Sequence, residues 1–88
     1  MIKVVRKNQN EFLVVIREKD SSTEHIVTLD EEYYVKLTYK EKSKEELIEK
    51  SFEFLLAREP KESILRRFNL KVINRYFPEY EKTIKKRL

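Results

Sequence analysis

At Asp30 the spacing of apolar residues changes from two to three or four, and that change commits the chain to a sheet followed by helices. Before it, Ile2 and Val4, then Phe12, Val14 and Ile16, then Ile26 alternate with their neighbours as side chains do on one face of a strand. Lys7-Asn8-Gln9-Asn10 and Lys19-Asp20-Ser21-Ser22 separate three such runs with turn-forming residues, and connections this short join antiparallel neighbours. The expectation is a three-stranded antiparallel β-meander over residues 1–29. Leu13 and Val15 make its middle strand apolar on both faces, so helices should cover one side and a partner part of the other.

After Asp30 the helical period takes over. Thr28 or Asp30 is placed to cap a first helix that carries Tyr33, Tyr34 and Leu37, with Glu31 and Glu32 at its positive dipole end. Ser43-Lys44-Glu45-Glu46 reads as a capping box, and Leu47, Ile48, Ser51, Phe52, Leu55 and Leu56 then form one apolar stripe. Phe54 falls off that stripe, which predicts an exposed ring at a sheet edge or in a homodimer interface. Pro60 separates this helix from a short one on Ile64, Leu65 and Phe68, with Asn69 as a left-handed break. Leu70, Ile73, Tyr76 and Phe77 suggest another, stopped by Pro78, and Tyr80, Ile84 and Leu88 a terminal one. The fold class is thus α+β: the meander, then four or five α-helices over residues 30–88, in a single domain 1–88.

The same sequence argues against several kinds of chemistry. It has no Cys, and the longest apolar run, Phe12 to Ile16, is too short to cross a bilayer, so no membrane partner and a cytoplasmic location are expected. The only histidine, His25, has no Cys to activate and no second His to share a metal, so no metal site is assigned. Glu45, Glu46, Glu49 and Glu53 read as a solvated helix face beside Lys44 and Lys50. Without a glycine there is no Gly-rich phosphate cradle. A non-enzymatic protein follows, with no catalytic residue, no cofactor and no small-molecule ligand evident. Charged residues at 41%, with one Gln and four Asn, resemble the bias of thermophilic proteins.

Charge points to a partner. Residues 61–88 hold nine Lys/Arg against three acids, a net of +6, whereas residues 1–60 carry a net of −2. A basic third of this kind attracts polyanions, which makes DNA or RNA the first expectation and an acidic protein partner the alternative. Residues 62–80 are loosely similar to a helix-turn-helix, in which Lys71, Asn74 and Arg75 would face outward with the donors that meet bases and phosphates. Arg66, Arg67, Lys85 and Lys86 complete the candidate nucleic-acid-binding set. Residues 24–59 resemble the strand, helix, helix order of ribbon-helix-helix repressors. In that family two subunits pair one strand each, but Glu24, Ile26 and Thr28, or His25, Val27 and Leu29, offer no base-reading Arg, Lys or Asn.

His25-Ile26-Val27-Thr28-Leu29, Glu32-Tyr33-Tyr34, Ser51 to Leu56, Arg58 to Phe68 and Tyr76 to Tyr80 together resemble a family of short prokaryotic proteins of uncharacterised function. The resemblance spans nearly the whole chain and implies no activity for any residue.

Overall fold

A computed structural model describes all 88 residues, and their order is sheet, helix pair, returning strand and closing helices. Strands β1 (Ile2–Arg6), β2 (Glu11–Glu18) and β3 (Ser21–Thr28) pair antiparallel as a meander. Helices α1 (Glu31–Thr38) and α2 (Lys44–Leu56) follow. A short strand β4 (Arg67–Asn69) then returns beside β3 in parallel, giving a four-stranded mixed sheet in the order β1-β2-β3-β4. Helices α3 (Ile73–Tyr76) and α4 (Tyr80–Arg87) close the chain.

The register explains the core. Val4, Val14 and His25 lie in one cross-strand row, and Phe12, Val27 and Phe68 in another, so all point to the face that α2 covers. Phe12, Val14, Ile16 and Val27 are fully buried there with Leu47, Ile48 and Phe52 of α2. Ser43 caps α2 by accepting the Glu46 amide at 3.0 Å, whereas Asp30 opens α1 without a capping bond because its carboxylate turns to Asn69 and Lys71.

Three expectations need correction. The sheet is mixed and four-stranded, because Ile64 to Phe68 is not helical: only Lys61–Ser63 makes a single 3-10 turn, after which the chain runs extended. The open edge of β3 provides the reason, since the Ile26 amide bonds the Arg66 carbonyl at 2.8 Å and local helix propensity cannot match that pairing. Residues 62–80 therefore do not form a helix-turn-helix. Asn69 has φ −85°, not a left-handed turn, and its side chain accepts the Lys71 amide to start a 3-10 turn at Leu70–Val72. Phe54 is fully buried, because α4 folds back onto α2 and gives that helix a second inward face.

That second face is well bonded. Phe54 meets Phe77 and Tyr80 edge-on, with centroids 5.9 and 5.2 Å away, and the Arg58 guanidinium stacks on its ring at 3.5 Å. Ser51 donates to the Leu47 carbonyl at 2.7 Å and so accepts from the Tyr80 hydroxyl at 2.6 Å. Two buried lysines tie the layers together: Lys44 reaches Glu31 and the Gln9 carbonyl, and Lys61 reaches Glu18 and Glu62. The absence of glycine shows at Lys19, Tyr39 and Lys40, which take left-handed φ of 52°, 54° and 64°.

Candidate interaction surface

The basic residues of the C-terminal third divide into two groups. Arg67 pairs with Glu11 at 3.3 Å and Lys71 with Asp30 at 3.4 Å, while Asn74 Oδ1 accepts the Glu81 amide at 3.2 Å near the start of α4. These three side chains bind the C-terminal third to the rest of the fold or to itself. Arg66, Arg75, Lys85 and Lys86 are exposed and carry no ion pair, as are Lys82 and Arg87. On α4, Lys82 and Lys86 lie opposite the buried Tyr80 and Ile84.

Between the end of α2 and α3 lies a groove of about 490 Å³ whose lining is apolar at eight of ten residues. Its formation follows from the path of the chain between Ser63 and β4. Because Ile64 and Leu65 lead into β4 instead of winding into a helix, Ile64 is buried while Leu65 stays exposed, and Ile73, Tyr76 and Phe77 supply the facing side. Leu55, Ile64, Phe68 and Ile73 are buried in the core and form the floor. Leu65 and Tyr76 stand on the rim at 47% and 67% exposure, which makes them, with Met1, Val5 and Tyr39, the large apolar side chains left in solvent. Each rim residue has an unpaired arginine next to it in sequence, Arg66 and Arg75.

Glu59 also lines the groove. Partial burial pushes its carboxyl above the usual carboxylate range, with no cation or donor to offset the effect. Sequence reading passed over Glu59, Leu65 and Tyr76, because a helix over residues 62–68 would have tucked Leu65 inward. What holds Leu65 in place is His25. Its ring is buried, and since a carbonyl only accepts, Nδ1–H donates to the Leu65 oxygen at 2.7 Å while Nε2 accepts from the Thr23 hydroxyl at 2.8 Å. Burial holds this imidazole below its ordinary pKa and therefore neutral. The lone histidine fixes one wall of the groove.

β3 pairs with β2 along one edge, and β4 takes the other edge at Ile26, Val27 and Thr28, so that part of the strand is not open for the intersubunit pairing of a ribbon-helix-helix dimer. No group of three or more His, Cys, Asp or Glu side chains comes together as metal ligands would, and no helix is long and apolar enough to cross a membrane. Comparison with protein-family models, with curated proteins and with solved structures gave no match.

Proposed function

We propose that this chain is a non-enzymatic binding module that seats an apolar segment of an acidic partner protein in the groove between α2 and α3. The observation that carries this reading is the conjunction of an apolar floor, exposed Leu65 and Tyr76 on the rim, and unpaired Arg66 and Arg75 beside them. Tyrosine and arginine around a desolvated apolar centre are the usual energetic anchors of a protein interface. The segment's apolar side chains would fill the groove and its carboxylates would meet the two arginines.

Selection from a random peptide display library on the immobilised protein tests this reading. Enriched peptides should carry two or three large apolar residues flanked by Asp or Glu, and Tyr76→Ala should weaken them by about tenfold or more. Enrichment of peptides without apolar anchors, or affinity unchanged in Tyr76→Ala, would overturn it. Glu59 adds a pH signature. Covering the groove desolvates this carboxyl further, so binding takes up a proton and affinity should rise as pH falls toward the carboxylate range. In Glu59→Gln that slope should disappear.

A second reading keeps DNA or RNA as the partner, favoured by the unpaired Lys82, Lys85, Lys86 and Arg87 on α4. It predicts contacts to phosphates without base readout, because Asn74 and Lys71 are engaged within the fold. Titration with a random-sequence duplex and a single strand should then show a steep salt dependence that shrinks in Lys85→Ala/Lys86→Ala and ignores Tyr76→Ala.

A further inference from the structure

The helices pack on one face of the sheet and leave the other bare. Ile2 and Val4 join the core, whereas Val5, Leu13, Val15 and Ile26 point the opposite way and stand apart from it, Val5 at 39% exposure. Register places them in two rows across the strands: Lys3, Val15 and Glu24 in one, and Val5, Leu13, Ile26 and Arg67 in the other. Lys3 and Glu24 are exposed, flank the apolar centre on opposite sides and pair with nothing in their own chain. Two strand spacings, about 9 to 10 Å, keep them from meeting each other.

We infer that a second copy of this chain covers the bare sheet face, related by a two-fold axis that runs along β2 and sets Lys3 of each copy over Glu24 of the other. Rotation about that axis lays β1 over the partner's β3, so each row meets itself in reverse. Lys3 then faces the partner's Glu24 twice, Val5 faces the partner's Ile26 twice, and Leu13 and Val15 meet their own copies. The charges select this axis. Turning the axis by a right angle, so that it runs across the strands, would lay β1 on β1 and β3 on β3, bringing Lys3 against Lys3 and Glu24 against Glu24, or burying both under apolar side chains. Sheets stacked this way sit about 10 Å apart, within reach of a lysine and a glutamate together. Two residues at the ends of β2 oppose their own copies: Glu11, which its ion pair with Arg67 draws aside, and the exposed Arg17. A dimer built on so small a centre is weak and reversible. Phe54 has no part in it.

Sedimentation equilibrium on the full chain tests the inference. The wild type should pass from monomer to dimer over roughly 1 to 500 μM, as small interfaces do. Leu13→Lys should shift the dissociation constant toward monomer by about thirtyfold or more, because it puts like charges at the centre. Lys3→Glu, on an exposed side chain that cannot disturb the core, should weaken the dimer by about fivefold, and Lys3→Glu with Glu24→Lys should restore it to within about twofold. A wild type that stays monomeric at the highest concentration overturns the inference. So does a dimer indifferent to Leu13→Lys, which would mean pairing along the free edge of β1, and so does a double exchange no tighter than the single one.

Discussion

Residues 1–56 and residues 57–88 are built on different rules. In the first region periodicity decides: runs of five to eight residues make the strands, eight and thirteen make α1 and α2, and the apolar positions face the core as their spacing requires. In the second, no element exceeds eight residues, and all but α3 are held by a bond to the first region. His25 and the Ile26 amide take residues 65 and 66, Ser51 takes Tyr80, Asp30 takes Asn69 and Lys71, and Tyr33 takes Glu81 at 2.8 Å. Short segments close too few local hydrogen bonds to fix their own shape, so tertiary partners choose for them.

The largest expected effect is at the seam between the regions. Phe54→Ala should destabilise the fold by about 3 to 5 kcal/mol, since it removes a fully buried ring that supports Phe77, Tyr80 and Arg58. Phe54→Glu should unfold the protein rather than merely alter its association, and chemical denaturation read by circular dichroism distinguishes the two. Next comes Tyr80→Phe, which keeps the ring and removes the hydrogen bond to Ser51. Its expected cost is about 1 to 2 kcal/mol, with faster amide exchange confined to α4.

His25 should make stability depend on pH. Its folded pKa lies below the unfolded value of 6.5, so between the two the unfolded chain binds more protons. The stabilisation is complete above 6.5 and is lost as pH falls through the folded value. Denaturant midpoints measured from pH 7.5 downward should decline in the wild type, and His25→Gln should remove that component of the slope. The smallest effect concerns the turns. Tyr39→Gly should raise stability by about 1 kcal/mol, because the position is left-handed and the side chain is 71% exposed, with little packing to lose.

The contrast also explains what could be read from sequence. Phe12, Val14 and Ile16 announce the inner face of β2, and the α2 stripe announces its core helix, because period and burial coincide over many residues. Ser43 marked the start of α2 for the same local reason. Phe68 could not announce a strand: three residues have no period, and the partner that makes them extended, Val27, belongs to a distant strand. Phe54 misled because one stripe describes a helix with one neighbour, and α2 packs against α4 as well as the sheet. Among the candidate site residues, charge identified Arg66 and Arg75 but could not separate them from Arg67 and Lys71, whose acidic partners come from β2 and from the residue before α1. The groove itself was illegible, since it exists only once Leu65 is pinned to β3.

Hydrogen exchange at the Ile26 amide tests that pinning most directly. Within the sheet this amide points away from β2 and bonds the Arg66 carbonyl at 2.8 Å, so its protection reports β4 alone. The wild type should protect it together with the core of the sheet. His25→Ala should speed its exchange by about tenfold or more while the amides shared by β2 and β3 stay protected. Free exchange of Ile26 in the wild type, or protection indifferent to the loss of His25, would contradict a C-terminal third seated by β3.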